Sequence, residues 1–186
     1  MTTAKEVTMR RVRYGVGMSL DVFIADIGGG TSFLTMDPAY DSRPFFESID
    51  TALMGRHTYE AGVRQDVRRM PGVQNYVIST TLQGSACPEV TLIPGDIVSA
   101  IGDLRAAEGK DTWLVGGGVL FRSLAEAELV DTVEVGISPV LIGQGVSLAP
   151  PPLGRALRLT LTHSQVFSSG LVTLSYVIQR SKRRLH

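Results

Sequence analysis

Three consecutive glycines, Gly116, Gly117 and Gly118, follow the apolar run TWLV and precede VLFRSL, whose leucine spacing is helical. Glycine inside regular structure costs about 0.5–1 kcal/mol relative to alanine, so three together mark a tight turn or a place where something lies against bare backbone. A strand running through glycines into a helix offers free N–H groups and the positive end of the helix dipole to an anion, and the natural occupant is a phosphate. A second stretch, LMGRHTYE at residues 53–60, repeats the arrangement with side chains added. There a strand ends at Gly55, and Arg56, His57 and Thr58 fall on the next helix N-terminus, where a guanidinium, an imidazole and a hydroxyl can grip phosphate through charge-assisted bonds. Two such cradles in one sheet suggest a ligand with separated phosphates.

The dinucleotide fingerprint G-x-G-x-x-G is not met, because GGGVLF lacks the last glycine. Glu134 stands at the distance of a ribose-binding acid but sits inside the strand-like TVEVG. The fingerprint also opens the first crossover of a doubly wound fold, whereas these glycines come late in the chain.

The elements that must position these residues are legible as alternating runs. RVRYGVGMSL (11–20) reads as a strand and DVFIADIGGGTSFLTMDP (21–38) as a long glycine-rich loop. SRPFFESID (42–50), with a serine N-cap and an early proline, predicts a short helix, followed by the brief strand TALMG. NYVIST and VTLIP are strands. GDIVSAIGDLRAAEGK spaces Ile97, Ile101 and Leu104 as a helix, and VLFRSLAEAEL does the same with Leu120, Leu124 and Ala127. TVEVGISPVLIG is strand-like, and RALRLTLTHSQVF and LVTLSYVIQR, joined by SSG, form a hairpin. Strands alternating with helices predict an α/β fold with a mostly parallel sheet, to which the hairpin adds an antiparallel edge.

The chain has 186 residues, 18 basic and 18 acidic side chains, and one cysteine. One domain of ordinary size is expected, with a polar leader at 1–8 and a solvated basic tail at 181–186. The zero net charge excludes an electrostatic footprint for nucleic acid or an anionic membrane. No apolar run reaches spanning length, and the first twenty residues lack an apolar signal core. Cys87 cannot pair within the chain and has no Cys/His cluster around it, so neither a metal nor a disulfide is expected. A soluble, cytoplasmic protein is the reading. His163 lies in an alternating strand and His186 is terminal, which leaves His57 as the histidine with a ligand role.

The order GVGMSLDVFIA, LMGRHTYE, NYVIST, LVGGGVLFRSL, ISPVLIGQGVSL resembles the dihydrofolate reductase superfamily, in particular the branch similar to the C-terminal reductase domain of the riboflavin-pathway bifunctional deaminase-reductase. The resemblance spans about residues 10–180 and implies the three-layer fold of that superfamily. It also implies NADPH as cofactor, with the adenosine 2′-phosphate clasped at Gly55, Arg56, His57 and Thr58. Ser79 and Thr80 would lie beside the adenine ribose. Gly116 and Gly117 match a cis Gly-Gly peptide, and Gly117, Gly118, Val119 and Leu120 offer backbone to the pyrophosphate. Gly17 and Ile24 match positions whose backbone holds the nicotinamide carboxamide.

Reduction of a C=N or C=O bond also needs a proton, and an acid of raised pKa in an apolar pocket is a standard donor. Counting back from Gly55 as in the folate enzymes gives Asp41, with Phe45 one turn later on the same face and Asp37 as competitor. Asp41 is equally suited to cap the helix it precedes. Asp21 falls in the Ser-Leu-Asp-Gly stretch that borders the substrate in the riboflavin-type branch, although the glycine is Val22 here. Folate reductases place an arginine after Pro-Gly ahead of the third strand, and this chain has Val73 in MPGVQNYVIS, which argues against dihydrofolate. Pro139, Gly143 and Gly145 follow the riboflavin-type pattern. The implied activity is a reductase of a pyrimidine-, pterin-like or ribosylamino substrate, similar to 5-amino-6-(5-phosphoribosylamino)uracil reductase, in a homodimer. Dihydrofolate reductase proper and a non-catalytic NADPH-binding module are the alternatives.

Overall fold

The computed structural model describes residues 9–84 and 87–180, so the expected leader at 1–8 and tail at 181–186 lie outside the described residues. The elements in chain order are β1 (Val12–Ser19), β2 (Phe23–Ala25), α1 (Arg43–Glu47), β3 (Ile49–Gly55), α2 (Arg56–Arg64), β4 (Gln74–Ile78), β5 (Thr91–Ile93), α3 (Ile97–Ala106), β6 (Asp111–Val115), α4 (Gly118–Glu126), β7 (Thr132–Ser138), β8 (Val146–Ser147), β9 (Leu159–Val166) and β10 (Val172–Ile178). Eight of the strands form one sheet in the order β5-β4-β3-β6-β1-β7-β10-β9. The six from β5 to β7 run parallel, and β10 and β9 run antiparallel. This is the α/β arrangement with a C-terminal antiparallel hairpin that the alternation of runs predicts.

The period-2 patterns sort the side chains into two cores. Val12 and Tyr14 of β1, Leu53 of β3, Leu114 of β6 and Val133 of β7 are buried on one face against Ile101 of α3 and Leu120, Phe121 and Leu124 of α4. Tyr14 stacks on Phe121 with ring centroids 4.1 Å apart. Ala52, Met54, Val77 and Val115 face the other way and pack with Tyr59 of α2 and with Cys87. Helices therefore cover both faces, as a parallel sheet requires. Among the described residues no helix is long and apolar enough to cross a membrane.

Two expected elements are revised. The helix at 42–50 keeps only Arg43–Glu47, because Ile49 and Thr51 are buried as the start of β3, and that burial outweighs another helical turn. The long loop at 21–38 contains the strand β2, whose Phe23 and Ala25 pair with Ser147 and Val146 of β8. The hairpin forms where SSG predicts it, with Gly170 at a φ of 83° and its N–H donating to Phe167 O at 3.0 Å.

Asp131, just before β7, ties four elements together. It accepts from Val12 N–H (2.8 Å), from both Nη atoms of Arg105 (2.7 and 3.0 Å) and from Arg180 (2.8 Å). The Arg105 guanidinium is buried, so removing its partner strands a cation out of water. Asp131→Ala is expected to lower stability by about 3 kcal/mol, read as a shift in the urea midpoint at constant m-value.

Candidate functional site

Because the six strands β5 to β7 are parallel, Ser19, Gly55, Ile78, Val115 and Ser138 all end at one edge of the sheet. Such an edge is where ligands sit in open α/β sheets, because the following helices start there. β3 and β6 are neighbours, with Leu53 opposite Leu114, and each leads directly into a helix. The first turns of α2 and α4 therefore lie side by side. The first bond within α4 runs from Phe121 N–H to Gly117 O at 2.9 Å, which leaves the N–H groups of Gly118, Val119 and Leu120 ahead of it. Neither helix has a side chain capping its start.

The three glycines divide their work. Gly116 and Gly117 adopt left-handed φ of 55° and 71°, which a side chain would strain. Gly118 has ordinary helical backbone, but a Cβ there would collide with Ser147 O and stand 2.9 Å from Leu148 O. The peptide between Gly116 and Gly117 is trans, the cis bond among the described residues being Pro151–Pro152. The cis Gly-Gly pairing that the resemblance implies is thus replaced by two successive left-handed residues that turn the chain. Val119 is exposed and Leu120 is buried in the core, so both contribute to the cradle through backbone alone.

At the neighbouring turn, Arg56 is held from two sides. Its Nη1 donates to Thr81 Oγ1 at 2.7 Å, and its Nε lies 3.0 Å from Glu60 Oε1, out of line for a hydrogen bond. The His57 side chain is 92% exposed, with Nδ1 3.8 Å from Glu60 Oε2. Thr58 links the two cradles, since a Cβ on Gly117 would lie 3.2 Å from its Oγ1. Ser79 is buried, and its hydroxyl accepts from the N–H groups of Thr81 (3.2 Å) and Leu82 (3.0 Å). Thr81, not the exposed Thr80, therefore meets the guanidinium. The Ser79 turn in STTL was the signal that could have picked it out, because an ST turn bonds the residue two positions on.

On the far side of β6, Gly17 in β1 pairs with Gly136 of β7. A Cβ at Gly17 would come 2.8 Å from Leu34 Cδ1, so the loop after β2 rests on this glycine. That loop is pinned by Thr35 N–H to Ser138 Oγ (2.8 Å) and by Asp37, which accepts from Ala39 and Ser169. Leu34 carried no signal in the sequence. Ile24 is buried in the middle of β2.

The proposed proton donors are corrected by their surroundings. Asp41 precedes α1, is about half exposed, and takes a bidentate grip from Arg43 at 2.8 and 2.8 Å. That guanidinium, aided by Arg43 N–H, pulls its pKa down to about 2, the reverse of what a donor needs. Phe45 does not share its face: it lies over Gly15 and edge-on to Trp113 at 5.7 Å, with Arg13 4.5 Å above the ring. Asp37 is also lowered, first by the Ser169 hydroxyl and then by Ala39 N–H. Asp21 is lowered by the Ser19 hydroxyl and by the N–H groups of Gly143 and Ile142, which fasten the turn after β1 to the segment after β7. Glu134 is clasped by Arg13 at 2.7 and 2.6 Å, which excludes it as a ribose ligand.

Two outcomes follow from this geometry. Gly118→Ala is expected to cost about 3 kcal/mol, since the obstructing atoms are backbone carbonyls, while Gly95→Ala, with open space around it, stays near neutral, as paired melting curves would register. The Tyr59 phenol, which anchors α2, is buried, donates to Glu89 Oε1 at 2.6 Å and has its pKa pushed up to about 12. A raised folded-state pKa gives stability that is complete below the ordinary value near 10 and lost as pH climbs to about 12. Tyr59→Phe is expected to remove that alkaline decline from a stability series measured between about pH 9 and 12.

Comparison with known proteins accords with the order of elements. Residues 10–173 match the model of the RibD C-terminal domain. The uncharacterized protein YyaP of Bacillus subtilis (strain 168) is 28% identical over 179 residues, covering 90% of this chain and 94% of its own. The crystal structure of a candidate riboflavin biosynthesis protein from Shewanella sp. PV-4 superposes with a TM-score of 0.78 at 26% identity, covering 92% of this chain and all of that one. Dihydrofolate reductase from Enterococcus faecalis, solved with NADP(H) and RAB-propyl, shares the fold with a TM-score of 0.66 at 17% identity over 91% of this chain and 97% of its own. With its twin helix starts at one sheet edge and this match over most of its length, the chain belongs to the RibD C-terminal domain family, on a dihydrofolate-reductase-like fold.

Proposed function

We propose that the protein is an NADPH-dependent reductase acting on a C=N or C=O group of a pyrimidine-, pterin-like or ribosylamino compound. The observation that carries this reading is the pair of adjacent, uncapped helix starts, one bearing a guanidinium and the other stripped to backbone. Arg56, with Thr81 and the first turn of α2, fits the 2′-phosphate, and Ser79 shapes the loop that carries Thr81. The N–H groups of Gly118, Val119 and Leu120 fit the pyrophosphate. The backbone of Gly17 and Ile24 frames the nicotinamide. When bound, such a nucleotide supplies a hydride, so one hydride and one proton convert C=O to CH–OH, or C=N to CH–NH. With Asp21, Asp37 and Asp41 all held in the charged form, the proton comes from water.

The same carboxylates favour one rival, a module that binds NADPH without oxidising it. A fluorescence titration with NADPH and NADH, followed by oxidation assays over pterins, flavin precursors and imines, separates the two, because the module binds and never turns over. Arg56→Ala is expected to cut the NADPH-over-NADH preference by about 10–100-fold, since one charge-assisted bond contributes about 1.5–3 kcal/mol. An unchanged ratio removes Arg56 from the site. A homodimer is supported by β9, an edge strand whose eight residues are all exposed, Leu161 and Val166 among them.

A further inference from the structure

Among the described residues three other than glycine have positive φ, and two of them, Asp66 and Glu128, lie just past the ends of α2 and α4, where helices commonly stop in this way. The third is Val22, at φ 66°, in no helix terminus. A β-branched side chain is a genuine outlier in this region, and such outliers persist where the surroundings over-determine them. Here they do. Val22 N–H donates to Ser19 O (3.0 Å), Val22 O accepts from Leu148 N–H (3.0 Å), Phe23 N–H donates to Ser19 Oγ (3.0 Å), and Asp21 is fastened to Ile142 and Gly143. Those bonds hold the backbone in place, yet they would hold a glycine equally well. Something other than the fold accounts for the side chain, which is 47% exposed.

Its position says what. Val22 follows the end of β1 at the ligand edge, and Leu148, to which it bonds, presents its carbonyl to Gly118 at the start of α4. Leu20 N–H donates to Val140 O (2.8 Å), which sets Leu141 next along the chain from that turn's partner, and Val146 of β8 pairs with Ala25 three residues after Val22; Leu20, Leu141 and Val146 are all exposed. The charge within this group is the anion of Asp21, which repels phosphate. Resting on the reductase reading above, we propose that Val22, with Leu20, Leu141 and Val146, is a specificity wall that selects an uncharged heterocyclic carbonyl or imine with an apolar flank and disfavours a phosphorylated ribosylamino substrate.

The test uses the full chain and two variants. Val22→Gly keeps the backbone and deletes the wall, and Val22→Asn, a residue that tolerates left-handed φ, keeps a side chain but makes it polar. Val22→Gly is expected to melt about 2–5 °C higher than the wild type through relief of strain. With NADP⁺-saturated protein, both variants are expected to weaken binding of unphosphorylated pterins and dihydropyrimidine-type imines about 10-fold, followed by ligand-observed NMR. Oxidation of NADPH by the same compounds should fall in parallel, while the dissociation constant for NADPH stays put. A lower melting temperature for Val22→Gly overturns the strain argument. Wild-type preference for the phosphorylated members, or variant preferences equal to wild type while NADPH still binds, overturns the wall alone. Failure of NADPH to bind the wild type overturns the reductase reading and the wall with it.

Discussion

The constraint on which the site edge depends is the approach of the Ser147–Leu148 backbone to Gly118, which leaves no room for a Cβ. It sets where α4 begins, and through Leu148 N–H to Val22 O it carries that position to the turn after β1. The helix start that offers N–H groups to an anion and the loop that walls the cleft are thus one rigid unit. No side chain at 118 could preserve it, because the opposing atoms are carbonyl oxygens and a proline ring, none of which can rotate away.

Around that unit the sheet order does the assembling. A parallel sheet sends every C-terminal strand end to one edge, and the order β3-β6-β1 brings the turn bearing Arg56, the glycine turn and the end of β1 next to one another without long loops. Thr58 then spans the small gap between the two turns. Arg56 is held between the Thr81 hydroxyl and the Glu60 carboxylate, which fixes its guanidinium over the start of α2.

What could be read from the chain follows from how local each feature is. The strands, the helical spacing of α3, the hairpin at SSG and the two glycine turns ahead of α2 and α4 rest on spacing and on glycine conformation, which are local, and the structure has them. The length of α1 was not legible, since Ser48 to Asp50 suit a helix end and are taken by β3 only because Ile49 finds a buried place in the sheet. The contact of Leu34 with Gly17 joins residues by a loop with no repeating pattern, and nothing in FLTMD announces it. The bond from Arg56 to Thr81 was not legible either, because it depends on how the Ser79 turn folds back toward α2. Asp41 stands just ahead of α1, where the serine N-cap puts it, but its pairing with Arg43 was not legible, because residues two apart meet only through the local turn that brings the guanidinium back onto the carboxylate.

The fate of that carboxylate is shared by its neighbours, and the reason is structural. The loops between β1 and α1 carry many backbone N–H groups with no ladder to join, and each aspartate there takes some of them: Asp21 from Ile142 and Gly143, Asp26 from Gly28 and Gly30, Asp37 from Ala39 and Ser169, Asp41 from Arg43. A carboxylate that accepts N–H donors is stabilised in its charged form, so the bonds that order these loops also hold Asp21, Asp37 and Asp41 below the usual carboxylate range. Beside Val22 this order takes the form of a single carboxylate, Asp21, fixed in place by two backbone N–H groups from the segment after β7.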